Sequence, residues 1–148
     1  MLWLSNENRW PLMSYVAASL SGILMYLAWP PIALTPLAFV AFVPLLYVVE
    51  TQNLRAKYSG IRLFSRILLC MFVWNLLTTW WVWNASPGGA VFAIVASALL
   101  MCIPFALYIF LRKGMSFKLS FFGFLVFWLA FESIHETWDL AWPWLNLG

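Results

Sequence analysis

Charge is what this sequence has least of. Only 9% of its 148 residues are Asp, Glu, Lys or Arg, where a soluble domain carries about 25%. Apolar residues make up 65%, and the mean hydropathy is +0.90. So small a chain has too much surface to hide that excess in a core of its own, so lipid must supply the missing interior. Disorder is excluded by the same figures, because a disordered chain is poor in apolar residues. There are two cysteines, Cys70 and Cys102, both inside apolar runs and without a CxxC pairing, so no disulfide framework is expected. The single histidine, His135, forms with Glu132 one Glu-x-x-His pair. A carboxylate-bridged di-metal site needs a second copy, so no metal is expected. Missing too are a Gly-rich phosphate loop, a Ser/His/Asp set and any internal repeat. The last absence argues against a small transporter, since transporter folds are commonly built from repeats. No cofactor is implied.

The apolar residues fall in five runs. A span needs about 20 residues at about 1.5 Å each. Pro11 to Trp29 meets this, and it ends in Trp29-Pro30-Pro31 rather than in a small-residue cleavage site, so it reads as a retained helix and not a signal peptide. Pro36 to Val49 reaches only roughly 21 Å and is short unless it begins near Ile32. Glu50 to Arg62 is polar and basic and reads as a loop. Leu63 to Trp83 and Val91 to Leu111 are each long enough to span, and Asn84 to Gly89 between them is a strong turn signal. Pro104 is expected to kink the fourth helix. Arg112-Lys113-Gly114 stops that run, Leu119 to Ile134 is the fifth, and His135 to Gly148 is a polar, Trp-rich tail. The runs are continuous rather than alternating, which leaves helices as the way to satisfy the backbone in lipid. The expected fold is one all-α membrane domain, residues 1–148, with about five transmembrane helices.

Arg9, Arg55, Lys57, Arg62, Arg66, Arg112, Lys113 and Lys118 are all the basic residues, and all fall on one side of an alternating five-span arrangement. Positive loops stay cytoplasmic, so the N-terminus is expected inside and the Trp-rich tail on the periplasmic side. Basic residues confined to short gaps between spans serve orientation, so no nucleic-acid partner is expected. Trp29, Trp80, Trp81, Trp83, Trp138, Trp142 and Trp144 fall near the outer interface. They read as an interfacial belt or as a ring contacting a lipid substrate.

Among polar residues, Glu132, His135, Glu136 and Asp139 form the one titratable cluster in an apolar context, with Glu132 the deepest. Cys70 and Cys102 lack a nearby base or positive field and read as packing residues. Asn75, Thr78 and Thr79 lie inside the third run, where such residues bond helix to helix, and Asn75 is a weaker cavity-lining candidate. Ala17, Ala18, Ser21 and Gly22 make overlapping small-xxx-small pairs that favour close helix packing.

Leu27-Ala28-Trp29-Pro30-Pro31, then Thr35-Pro36-Leu37-Ala38-Phe39 and Val43-Pro44-Leu45-Leu46, resemble the opening helix pair of bacterial apolipoprotein N-acyltransferases. Trp80-Trp81-Val82 is similar to that family's aromatic helix end. Glu132 followed by Trp142-Pro143-Trp144-Leu145-Asn146-Leu147-Gly148 resembles its Glu-containing segment and aromatic-Pro-Trp-Leu turn. His135-Glu136 stand where many members have Arg-Gly, so that arginine's role does not carry over. The resemblance implies a bacterial inner-membrane, multi-pass protein involved in lipoprotein maturation. In the complete enzyme a Glu-Lys-Cys triad in a nitrilase-like domain moves an acyl chain from a phospholipid to the N-terminal Cys of an apolipoprotein. No segment here resembles that domain, so no catalytic residue is assigned. The expectation is a fragment, inactive alone, whose partners are the phospholipid and lipoprotein substrates of the complete enzyme. Its lipid-access or interface candidates are Trp81, Glu132, Trp142, Pro143 and Trp144. The competing reading is a stand-alone membrane scaffold or lipid-binding subunit.

Overall fold

The computed structural model describes residues 9–52, 54 and 59–137. Among them the chain is helical throughout: α1 (Arg9–Ala28), a 3-10 turn (Thr35–Leu37), α2 (Ala38–Ala41), α3 (Val43–Thr51), α4 (Ser59–Thr79), a second 3-10 turn (Trp80–Asn84), α5 (Pro87–Leu100), α6 (Cys102–Arg112) and α7 (Phe117–Thr137). Ser59–Asn84, Pro87–Arg112 and Phe117–Glu136 are long and apolar enough to cross a membrane, while Leu12–Ala28 and Thr35–Thr51 are shorter apolar segments. The five helical segments of the sequence reading are therefore present, the second one short as expected.

The bundle is apolar on its outer surface as well as in its core. On α1 the buried stripe is Ser14, Ala18, Ser21, Met25 and Ala28, while Leu12, Val16 and Leu20 point outward. Large apolar side chains are exposed on every long helix, as with Ile61 on α4, Phe92 on α5, Phe110 on α6 and Leu129 on α7. Contiguous apolar surface on that scale is what lipid contact requires and water penalises. Small residues on the inner stripe let backbones approach. A Cβ on Gly22 would sit 2.6 Å from the Cys70 carbonyl oxygen, so α1 lies directly against α4.

Contacts along the helices fix their directions. Ser14 meets Arg66, and Trp29 meets Trp74, so α1 and α4 run parallel. Tyr108 packs on Phe124, and Phe105 on Trp128, so α6 and α7 run antiparallel. Arg62, Arg66, Arg112, Lys113 and Lys118 consequently share one end of the bundle, the basic end below.

At mid-bundle the short second segment breaks at Phe42, two residues before Pro44, which has no N–H to donate. Ser21 Oγ of α1 accepts from the Leu45 N–H at 3.0 Å, occupying one of the first-turn donors of α3. The break directs the Phe42 ring inward, where it meets Trp128 at 5.2 Å, Phe105 at 5.4 Å and Trp74 at 6.3 Å between centroids. Edge-to-face pairs of this kind contribute about 0.5–1.5 kcal/mol each beyond the area they bury. The expected kink near Pro104 is present: α5 and α6 are separate helices meeting at Met101, three residues before the proline.

Three boundaries differ from the sequence reading. The basic loop is shorter than Glu50 to Arg62. Helix α3 runs to Thr51 and α4 starts at Ser59, whose hydroxyl donates to the Leu54 carbonyl at 2.9 Å, so Arg62 is helical. Pro87-Gly88-Gly89 is the first turn of α5, not loop, because Ser86 caps it by accepting from the Gly89 N–H and Pro87 occupies the first helical position. Helix α7 continues through His135 and Glu136, which were read as tail; the His135 ring stacks on Phe131 one turn back, 5.4 Å between centroids.

Candidate functional site

Trp81 and Glu132 lie at the end of the bundle opposite the basic end. Trp81 follows α4 in the Trp80–Asn84 turn, with Trp80, Trp81 and Trp83 all exposed. Glu132 is in the penultimate turn of α7, and α4 and α7 run in the same direction. Trp142, Pro143 and Trp144 lie outside the described residues.

Glu132 is buried, and its Oε1 accepts from Trp128 Nε1 at 2.8 Å, one helical turn back. This spacing places donor and acceptor on one helix face. A carboxylate held this way is an acceptor that orients an indole at the edge of the aromatic core. His135, one turn further on, is also buried. It closes one end of an apolar cleft of about 250 Å³ between the α5–α6 junction and α7, lined by Leu100, Ile103, Leu107, Phe127 and Ile134. The cleft offers one imidazole and no carboxylate. Among the described residues no cluster of three or more His, Cys, Asp or Glu side chains could hold a metal ion.

The cysteines sit as packing residues. Cys70 is fully buried, and Cys102 Sγ donates to the Ala98 carbonyl at 3.2 Å in its own helical turn. Asn75 is wholly buried; its Nδ2 donates to the Met71 carbonyl at 2.8 Å and reaches Met101 Sδ at 3.4 Å, where α5 and α6 meet, while its Oδ1 has no partner. Thr78 and Thr79 donate to carbonyls four residues back in α4, to Trp74 and Asn75. Their hydroxyl bonds are thus made within the helix rather than across helices.

A second cluster, at the basic end, was not singled out from the sequence. Glu50 Oε1 accepts from Tyr108 Oη and Arg112 Nε, both at 2.7 Å, and its Oε2 accepts from Arg112 Nη2 at 2.5 Å. Arg112 Nη1 also donates to the Met115 carbonyl at 3.0 Å. The two-pronged pair ties the end of α3 to the end of α6 and to the turn before α7. The one local signal is the Tyr108–Arg112 spacing of one helical turn; Glu50 lies 62 residues from Arg112. The third feature, also missed, is Arg66. It is buried beside Ser14, accepts the face of Tyr15 at 4.9 Å, and sends Nη1 to the Arg62 carbonyl at 2.6 Å.

Residues 21–148 match the model of the apolipoprotein N-acyltransferase N-terminal domain. An apolipoprotein N-acyltransferase of Chlorobaculum tepidum is 26% identical over 132 residues, covering 87% of this chain and 24% of the relative. One of Geobacter metallireducens is 28% identical over 148 residues, covering 93% of this chain and 27% of the relative. The chain thus spans about a quarter of the length of these curated relatives. No solved structure matches.

Proposed function

The chain belongs to the family of the apolipoprotein N-acyltransferase N-terminal domain, and from that membership we propose that it is the membrane-anchoring and lipid-access part of such an enzyme, inactive alone. The observation that carries the reading is the family match over residues 21–148 on a bundle whose large apolar side chains face outward. The proposed orientation puts the basic end in the cytoplasm and Trp81, Glu132 and the tail with Trp142, Pro143 and Trp144 on the periplasmic side of the inner membrane. In the complete enzyme a cysteine thiolate takes the acyl group from a phospholipid ester and yields it to the amino group of a lipid-modified N-terminal cysteine, so that one difficult transfer becomes two easier ones. This chain contributes the bilayer geometry of that reaction. Its helices hold the reacting domain at the interface, and its Trp-rich end borders the path by which lipids arrive sideways.

The test is direct. The purified chain, given phospholipid and a diacylated lipopeptide, should transfer no acyl group. In a full-length relative, Ala substitutions matching Trp142 and Trp144 should impair transfer more than one matching Trp3, which the sequence reading places near the inner interface, with the membrane part still folded. Transfer by the chain alone that vanishes in Cys70→Ser or Cys102→Ser would overturn the reading, as would equal effects at both ends in the relative.

A further inference from the structure

Arg112, half-buried, and Arg66, buried, are not equally provided for at the basic end. Arg112 has Glu50. Arg66 is only 4% exposed, yet among the described residues no carboxylate lies within salt-bridge distance of it. Its Nε is spent on Ser14 and its Nη1 on the Arg62 carbonyl, and among the described residues Nη2 has no hydrogen bond. It sits seven residues into α4, roughly 10 Å above the helix start. A cation so placed is costly unless an anion or strong acceptors meet it. Arg62, one turn nearer the helix start, is exposed and has no carboxylate partner among the described residues either.

Beside these arginines an apolar cleft opens between α4 and α5, about 320 Å³ in volume, lined by Ser65, Leu68, Leu69, Phe72, Val95 and Leu99. It is separate from the cleft that His135 closes. Its one polar residue, Ser65, stands at the end nearest the arginines. Ser65 Oγ donates to the Arg62 carbonyl at 2.8 Å and is bonded to Tyr15 Oη at 3.0 Å, and the Tyr15 ring carries the Arg66 guanidinium. Arg62, Ser65, Leu69 and Phe72 follow one another at three- and four-residue steps, which is a single stripe of α4. From Ser65 to Phe72 the stripe rises roughly 10 Å, well into the ~15 Å depth of one leaflet. The stripe is thus cationic at the bilayer edge and hydrocarbon-lined above it.

We infer that the Arg62–Arg66 cluster and the α4–α5 cleft together bind one anionic phospholipid from the leaflet at the basic end, its phosphate on the arginines and an acyl chain along the cleft. Charge complementarity selects this occupant. The cluster lacks the anion that Glu50 supplies to Arg112, and the groove leading from it accepts only hydrocarbon. The site lies at the opposite end of the bundle from the lipid-access region proposed above and stands independently of that reading.

The experiment is native mass spectrometry of the 148-residue chain released from mixed micelles holding equal dioleoylphosphatidylglycerol and dioleoylphosphatidylcholine. One phosphatidylglycerol should be retained in preference, by about fivefold or more, the weight of one arginine at an anionic surface. Arg62→Gln should remove most of that preference, and Val95→Trp, which fills the far end of the cleft, should lower retention several-fold without lowering the melting temperature. Arg62 and Val95 are exposed, so neither change threatens folding as Arg66→Gln would. Equal retention of the two lipids, or retention unmoved by Val95→Trp, would overturn the proposal. Displacement of the lipid by millimolar glycerol phosphate would overturn it in favour of a free-anion site. Disulfide-linked dimers through Val95→Cys in a Cys70→Ser, Cys102→Ser background would overturn it in favour of a second copy in the cleft.

Discussion

Gly22 is the place where the packing of α1 on α4 can be measured. A Cβ added there would lie 2.6 Å from the Cys70 carbonyl oxygen and 3.0 Å from Val73 Cβ. Both are well inside the ~3.5–4.0 Å at which carbon contacts are favourable. A backbone carbonyl in the middle of a helix cannot turn aside, so Gly22→Ala must part the two helices by several tenths of an ångström. Overpacking of this kind costs about 1–3 kcal/mol, and replacing a mid-helix glycine by alanine returns up to about 1 kcal/mol. The expected net loss is about 1 kcal/mol for Gly22→Ala and more for Gly22→Leu. The protein supplies its own controls. Gly60 at the start of α4 and Gly88 at the start of α5 have nothing within 4 Å of a built Cβ, so their alanine variants should equal or exceed the parent in stability. At Gly123 the obstruction is Leu111 Cδ1 at 2.5 Å, the end of a flexible side chain that can swing away, so Gly123→Ala should stay near the parent. Reversible unfolding in mixed micelles of rising sodium dodecyl sulfate, followed by tryptophan fluorescence, would rank the four. Equal stability of Gly22→Ala and Gly60→Ala would refute the close α1–α4 contact.

The Glu50–Arg112 pair should show coupling of about 0.5–1.5 kcal/mol in a double-mutant cycle of Glu50→Gln and Arg112→Gln, because the two groups are in contact yet still partly exposed; additive losses would mean that solvent screens the pair completely. Glu132 is expected to act as an acceptor and not as a base. Glu132→Gln should then cost little, while Glu132→Leu, which leaves Trp128 Nε1 without its bond, should cost about 0.6–1.7 kcal/mol by the same denaturant assay. The reverse order would exclude the acceptor role. Cysteines placed at Lys57 or Lys113 in a Cys70→Ser, Cys102→Ser background should resist an impermeant thiol reagent added outside intact cells, and cysteines at Ala85 or Trp142 should react; outside labelling at 57 would refute the five-span orientation.

What the sequence made legible is what depends on long runs and near neighbours. The order of the five segments, the shortness of the second, the break near Pro104 and the close-packing stripe around Gly22 all follow from hydropathy, from missing N–H groups or from small-residue spacing. Boundaries failed where polar residues are absorbed locally. Arg62 reads as the end of the basic loop, yet α4 begins at Ser59, and the Arg62 carbonyl accepts from Ser65 and Arg66 one turn on. The Pro-Gly-Gly at 87–89 has turn composition, but Ser86 converts it into a capped first turn. Glu132 was legible as a buried acid, and its partner Trp128 lies at the one-turn spacing that could have been read. Glu50 with Arg112 was not legible, because nothing local says which of the cations at that end a distant carboxylate will meet.

The basic end of the bundle and its middle are held by different kinds of force. At the basic end, bonds with fixed geometry run between helices: Glu50 on α3 to Tyr108 and Arg112 on α6, Arg66 on α4 to Ser14 on α1, and Tyr15 on α1 to Ser65 on α4. In a medium of low dielectric such bonds are lost steeply when their geometry is disturbed. At mid-bundle the core is a stack of rings, Phe42, Phe105, Phe124, Trp128 and Phe131, whose contacts tolerate several tilts, from 53° to 85° between planes. Ring packing can re-form at a neighbouring angle, whereas a two-pronged guanidinium–carboxylate pair cannot slide. The inter-helix ion pair thus pins the basic end, opposite the end carrying Trp81 and Glu132, where the proposed function has lipids pass sideways.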